Sequence, residues 1–398
     1  MTDNVEEVAV VLEGSEFNEE LTDNQGIYSF PAMGFGGSYT VRPEKNDDYL
    51  NGVNVLDLVL IQKHILGLEH LNTPNKLIAA DADDNNVVSA QDIIEIRKLI
   101  LGLTTEYNNN DSWRFIDGNF SFQTSNPLTE SYPEFISVNE FSQSLPNINF
   151  TGIKIGDVND DVVANNLNVT EDRSNDELAL EMEDASFTKG SVVSVDVRSE
   201  NFNNILAYQF TLNTAAALDL QSVIPGKLDM GMDNFGLFND GIITTAWNAT
   251  AVMNAGSDDV LFTLVFKANT SGQLSDFFEI GSTVTTANAY SDVEKLGVSL
   301  NFSGNATVTS APDFTLNQNT PNPFGQMTEI SFVLPEQSEA VFSVFDVNGK
   351  LVYINQGSFD KGFNKISLEA DQLGESGVYY YQIDSKGFTA TKKMILVK

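Results

Sequence analysis

Apolar and polar residues alternate with a period of two over most of this chain. Val8, Val10 and Leu12 share one face, then the polar run Asp23 to Gly26 leads to Ile27, Tyr28, Ser29 and Phe30, and to Tyr39, Thr40 and Val41. Val193, Val195 and Val197 alternate with Ser194, Asp196 and Arg198. Leu206, Tyr208, Phe210 and Leu212 alternate with Ala207, Gln209 and Thr211, and Phe262, Leu264 and Phe266 repeat the pattern. Each set predicts a strand with one face in a core and the other in solvent. Near the end, Phe342, Val344 and Asp346 lead into Asn348-Gly349, a pair suited to a type I′ hairpin turn, with strands expected over 351–354, 366–368 and 378–383.

Two segments break this rhythm. DLVLIQKHILG, from Asp57 to Gly67, and DIIEIRKLILG, from Asp92 to Gly102, are one pattern written twice with an offset of 35 residues. Each starts at an Asp expected to cap, carries apolar residues at helical spacing and stops at Gly. The texture divides the chain at 1–43 (strands), 44–162 (the helical repeat), 163–311 (strands) and 312–398 (a shorter set of strands). Turn residues between the runs predict antiparallel sandwiches. The Gly34, Gly36, Gly37 cluster lacks the Lys and Ser/Thr of a phosphate loop and is read as a turn.

Composition narrows the class. With 398 residues, 41% hydrophobic and 10% aromatic, the chain is long enough for about three domains with proper cores. A net charge of −35 repels nucleic acid and anionic lipid, and suits an extracellular protein that binds divalent cations. Without cysteine there are no disulfides and no thiolate metal sites. The two histidines, His64 and His70, lie at or just past one helix end and leave little room for a Ser-His-Asp set or a zinc triad. No run is apolar enough to span a bilayer, and the start lacks the basic and apolar regions of a signal peptide, so a secreted chain is expected to lack its true N-terminus here.

The strongest chemistry lies before the second helix. Asp81, Asp83, Asn85, Ser89 and Asp92 occupy positions 1, 3, 5, 9 and 12 of a loop in which Val87, at position 7, offers its backbone carbonyl. This is the oxygen spacing of an EF-hand, and Ca²⁺ favours about 6–8 such ligands. Asn86 stands where Gly is usual, a position Asn tolerates. A loop of this kind ending in Asp, followed by a helix ending Leu-Gly and used twice, resembles a dockerin domain. The first repeat departs from that pattern: Asn46, Asp48, Leu50, Gly52, Asn54 and Asp57 include a Leu that cannot ligate through its side chain. Yet Gly156, Asp157, Val158, Asn159, Asp160 and Asp161 form the front half of such a loop without a helix. Residues 157–161 are therefore expected to fold back, so that Asp157, Asn159 and Asp161 complete a second site with Asn54 and Asp57.

Three further resemblances follow. The G-x-Y-x-F and G-x-Y-x-V steps of residues 1–43 resemble part of a transthyretin-like carboxypeptidase regulatory domain. Residues 178–309 resemble a cohesin through KGSVVSVDV from Lys189, ILAYQFTL from Ile205 and VLFTLVFK from Val260. Generic Ig-like and carbohydrate-binding sandwiches share such alternation; Trp247 is read as a core residue rather than a sugar platform. Residues 313–398 resemble the type A sorting domain of the type IX secretion system of Bacteroidota, through LNQNTPNPF, TEISFVLP, FDVNGK, LGESGVYYY and the closing KKMILVK.

The expected fold class is mainly β, with tandem Ig-like or cohesin-like sandwiches and a small α-helical, dockerin-like, calcium-binding module. The resemblances imply the C-terminal part of a secreted, cell-surface structural or adhesive protein. Its expected partners are the type IX machinery and proteins met through the dockerin-like and cohesin-like modules, including other copies of itself. The other reading is the non-catalytic end of a large secreted polysaccharide- or protein-degrading enzyme. No GxSxG or HExxH motif is present, and no catalytic residues are expected.

Overall fold

The computed structural model describes residues 4–165, 176–307 and 314–397, apart from residues 317, 320, 335, 336, 348, 361 and 387. Strands β1 (Ala9–Gly14), β2 (Asn18–Leu21) and β3 (Tyr39–Glu44) open the chain. Val10, Leu12 and Val41 face inward as their alternation predicts. Ile27 to Phe30, expected as a strand, joins no ladder. The Tyr28 hydroxyl instead donates to Ile148 O at 2.6 Å, and the segment packs on the core as a loop.

Three helices follow: α1 (Val55–Ile65), α2 (Pro74–Ala80) and α3 (Ala90–Ile100). The caps correct the sequence reading. Asn54 and Ser89 are the N-caps, and Asp57 and Asp92 sit at N3, where each accepts from the cap residue's own N–H in a capping box. Helix α2 was not expected; it begins at an N-capping Thr73 with Pro74 in its first turn. Gly67 and Gly102 have φ of +68° and +70°, the left-handed stop both repeats predict.

Residues after the helices return to the first sheet. Strands β4 (Trp113–Asp117) and β6 (Phe150–Lys154) pair with each other, and β5 (Ile136–Val138) pairs with β3, giving the order β2-β1-β3-β5. Trp113, Phe115, Val162 and Ala164 share one core with Val8, Val10 and Leu12. The first unit thus draws on residues well beyond 1–43, and the helices are an excursion between its strands. Between the two, Lys154 is 2% exposed; its Nζ donates to Asp48 O at 2.9 Å and lies over the rings of Tyr49 and Trp113.

The large sandwich comprises β7 (Glu177–Phe187), β8 (Val192–Ser199), β9 (Ile205–Asn213), β10 (Leu218–Pro225), β11 (Phe235–Leu237), β12 (Ile242–Met253), β13 (Phe262–Ala268), β14 (Gly272–Gln273), β15 (Glu279–Gly281), β16 (Asn288–Ser291) and β17 (Lys295–Thr307). Its main path runs β10-β13-β8-β7-β17-β16-β9-β12-β11. Strand β7 pairs antiparallel with β8 but parallel with β17, from Glu177↔Gly297 to Ser186↔Thr307, and so joins the two layers. Trp247 is a core residue, as expected, stacked on Tyr208 with ring centroids 5.5 Å apart.

One expectation fails in an informative way. Ala207, Gln209 and Thr211 were assigned to solvent, yet they are 0%, 4% and 1% exposed. The helical module covers that face: Leu206, Ala207, Ala246 and Tyr290 share a core with Leu58, Ile61, Ile96 and Ile100.

The last unit holds β18 (Thr315–Leu316), β19 (Met327–Leu334), β20 (Ser338–Asp346), β21 (Leu351–Phe359), β22 (Gly362–Glu369), β23 (Gly377–Ser385) and β24 (Phe388–Leu396). Two sheets, β18-β19-β22 and β21-β20-β23-β24, enclose Phe332, Phe342, Tyr381 and Met394. The predicted strands are all present. Asn348 of the proposed hairpin turn, and the linker Ala311-Pro312, lie outside the described residues.

Candidate metal centre and interaction face

The loop from Asp81 to Asp92 closes on itself through its carboxylates. Asp81 accepts from Asn85 N at 3.0 Å and Asn86 N at 2.9 Å, which wraps the chain around that side chain. Asp92 accepts from Asp83 N at 3.2 Å and Ser89 N at 2.7 Å, tying the front of the loop to the start of α3. Asp84 and Asn86 supply the left-handed residues this wrapping requires, with φ of +54° and +67°. The carboxylates of Asp81, Asp83 and Asp92 converge with one oxygen of each within 4.8 Å of the others. Burial pushes Asp81 up to about 6 and also raises Asp92.

The chemistry of these residues fits a cation. Asp83 Oδ1 is buried and accepts no hydrogen bond, a costly state for a carboxylate oxygen among like charges. Among the described residues no lysine or arginine pairs with Asp81, Asp83 or Asp92; the nearby Arg114 pairs with Asp84 and Glu134 instead. The donor set is all oxygen, as a hard divalent ion requires. Asn85 and Val87 are exposed on the outer side of the loop, and Ser89 is half-buried at the helix cap.

The half loop at 157–161 folds back against the start of α1. Asp57 accepts from Val158 N at 2.8 Å and Asn159 N at 3.2 Å, as Asp92 does from Asp83 N. Asp157 accepts from Asp161 N at 3.3 Å and Val162 N at 3.0 Å, matching Asp81. Asn54 Nδ2 donates to Asp161 Oδ2 at 3.1 Å, across the break. Two bonds of 2.9 Å between the Asn51 side chain and the backbone of Val163 close the gap, a residue the motif reasoning missed. Burial, then the charges of Asp157 and Asp161, hold Asp57 well above the usual carboxylate range. Asp157 itself is pushed up to about 6, by burial first and Asp161 second. Unlike the first loop, Asp57, Asp157 and Asp161 do not converge as a set of three carboxylates within 4.8 Å. Asn46 and Asp48 stand apart from this site: Asn46 Oδ1 accepts from Ser112 N at 2.8 Å, and Asp48 O accepts from Lys154.

Both helices end on the sandwich. Gln209 Oε1 accepts from Val55 N at 2.9 Å, at the first turn of α1. At the other end of α3, Thr285 Oγ1 donates to Ile100 O at 2.6 Å and Thr244 Oγ1 donates to Leu101 O at 2.7 Å. Sandwich side chains therefore satisfy helix-terminal groups that no helix can satisfy internally. Between these ends, Asn248 accepts from Arg97 Nη2 at 2.9 Å and donates to Gln62 Oε1 at 2.7 Å. Gly236 allows the close approach: a Cβ there would lie 2.8 Å from Leu101 O.

Residues 178–308 match the family model described as "Cohesin domain". Residues 320–398 match "Secretion system C-terminal sorting domain". A search of the curated proteins gives no match. Among solved structures, the third ScaC cohesin of Acetivibrio cellulolyticus, in complex with the ScaB dockerin, is 20% identical, with 32% of this chain and 99% of that chain covered and a TM-score of 0.22. The seventh ScaB type I cohesin of Pseudobacteroides cellulosolvens is 19% identical over 34% of this chain and 95% of that chain, with a TM-score of 0.24. Dimeric latent PorU from Porphyromonas gingivalis is 12% identical over 54% of this chain and 19% of that chain, with a TM-score of 0.21.

The cohesin match implies a dockerin-type protein partner, and the sorting domain implies the type IX secretion machinery. That sorting domain marks proteins that are secreted and then attached to the cell surface or released. No helix among the described residues is long and apolar enough to cross a membrane. The face covered by α1 and α3 belongs to the cohesin-matching segment, and its key residues, Gln209, Thr244 and Thr285, were not singled out by motif. For Gln209 and Thr244 the signal in the sequence is the absence of charge from the outward positions of β9 and β12. His64 and His70 contact each other at a ring separation of 5.6 Å, and His64 Nδ1 accepts from Leu71 N at the helix end, a structural placement.

Proposed function

We propose that this chain is a non-catalytic region of a secreted surface protein, in which a dockerin-like helical module stabilised by Ca²⁺ and a cohesin-like sandwich form a structural or adhesive unit. The observation that carries this reading is the buried, unpartnered Asp83 Oδ1 within the ring of Asp81, Asp83 and Asp92 at the start of α3. Asp81, Asp83, Asn85, Ser89 and Asp92, with the Val87 carbonyl, would hold the ion. The ion would supply the positive charge that keeps these buried carboxylates ionised. Asp157, Asn159, Asp161, Asn54 and Asp57 form the second, split site of the same reading, supported by its parallel hydrogen bonds.

Calcium here is a folding element: it joins loop to helix, and the helix carries the contact with the sandwich. The strongly shifted carboxylates lie in these two loops, so metal binding accounts for them without a reaction. Melting curves of the full chain in millimolar calcium and in chelator test the proposal, since extracellular sites of this type bind down to the millimolar range. Stabilisation by calcium, with Asp81→Ala plus Asp92→Ala abolishing the tighter of two binding events, is expected. Superimposable curves in the two conditions would overturn it.

A further inference from the structure

The geometry points to a cohesin-like interaction face whose occupant is the chain's own helical module, held in cis so that free partners are excluded. This rests on reading that face as a receptor for a helix pair; what it adds is the identity of the partner. Three features favour a built-in occupant over an exchangeable one. The contact satisfies helix-terminal backbone groups at both ends, through Gln209, Thr244 and Thr285. Releasing the helices would leave these groups, and Ala207 and Ala246, now 0% exposed, open to water. Arg97, whose Nε has no acceptor, is held at the seam by Asn248 and by the charge of Asp233. Finally, the helices are an excursion between β3 and β4, strands of a unit that packs as a single core, so they stay at high local concentration beside the sandwich.

A covalently tethered partner acts at an effective concentration in the millimolar range. Against about 10 µM of an equal competitor, the cis contact therefore wins roughly a hundredfold.

The test uses two full-length variants. Arg97→Glu with Gln62→Glu spoils the helix side and leaves the sandwich face intact. Ala246→Arg spoils the sandwich face and leaves the helices intact. Neither can close in cis, and mixing them at about 10 µM should give a 1:1 heterodimer by sedimentation, while wild type plus Ala246→Arg stays monomeric at the same concentration, as the roughly hundredfold cis advantage requires. If wild type takes up Ala246→Arg as readily as the helix-side variant does, the face is a receptor but cis closure is no barrier, and the inference fails. If the two folded variants ignore each other, the receptor reading itself fails. Should either variant not fold, the chain's lack of native cysteine gives a second route, Gln62→Cys with Asn248→Cys. Oxidation should then yield an intrachain crosslink in a monomer; crosslinked dimers would overturn the proposal.

Discussion

Replacing Asp83 by Asn should change stability with opposite signs in the presence and absence of calcium. Asp83 Oδ2 accepts from Asn85 Nδ2 at 2.9 Å, a bond the remaining carbonyl oxygen of Asn preserves. The other oxygen, Oδ1, has no partner, so an amide there displaces no hydrogen bond and offers donors to the neighbouring carboxylates. Two unit charges at the 4.8 Å limit of this ring repel by about 1 kcal/mol in a water-like medium and about 3 kcal/mol at an effective dielectric near 20. Removing one charge relieves two such pairs. In chelator the variant should therefore be more stable than wild type by about 1–3 kcal/mol, after allowing for partial screening. In saturating calcium the order should invert, because the wild type gains about 4.1 kcal/mol at a thousandfold excess over Kd and the variant has lost one anionic ligand. Urea melts of the full chain, followed by tryptophan fluorescence with and without calcium, read both signs. Destabilisation of equal size in both conditions would refute the argument, because it would mean that Asp83 acts through loop structure and not through charge.

Asp157→Asn should weaken calcium binding at the split site and leave the Asp81 site unchanged, so a two-site titration should lose one event only. Lys154 is held down to about 8 by burial, against 10.5 in the unfolded chain. The unfolded chain thus binds more protons between these values, and this group's penalty, full below pH 8, fades as pH rises through that window. Lys154→Met should accordingly raise stability by on the order of 3 kcal/mol at pH 7 and by much less above pH 10.5, measured by denaturant melts across pH. In the sorting domain, β24 pairs with β23 along its whole length, and removal of residues 392–398 should trap the protein in the periplasm, visible by surface proteolysis of intact cells. Surface exposure that survives this deletion would place the export signal elsewhere.

The period-two pattern located β8, β9 and β13 of the sandwich and β20 to β23 of the tail, because alternation is a local property that tertiary context seldom reverses. What alternation could not supply was the occupant of each outer face. Ser194, Asp196 and Arg198 on β8 are charged or small and polar, and they remain at least partly exposed. Ala207, Gln209 and Thr211 on β9 carry no charge at all, and they are buried beneath helices that lie more than a hundred residues earlier. A separation of just under a hundred residues likewise hid the pairing of β5 with β3, and with it the true extent of the first unit. The convergence of Asp81, Asp83 and Asp92 was legible because their loop is contiguous. Its split counterpart was legible only because two incomplete halves added up to one loop, and Asn51, which joins them, belongs to neither half.

The parallel pairing of β7 with β17 has a mechanical consequence. The chain enters the sandwich at the first residues of β7 and leaves it at the last residues of β17, which lie at opposite ends of the same ladder. Tension drawn through the polypeptide, as on a filament tethered at a cell surface, would load this ladder along its length. Its bonds would then bear force together in shear, not one at a time as in a peeled hairpin. Resistance of this kind is governed by the rate of unfolding, not by equilibrium stability. A sandwich wired in this way can be only modestly stable in solution and still remain closed under sustained drag.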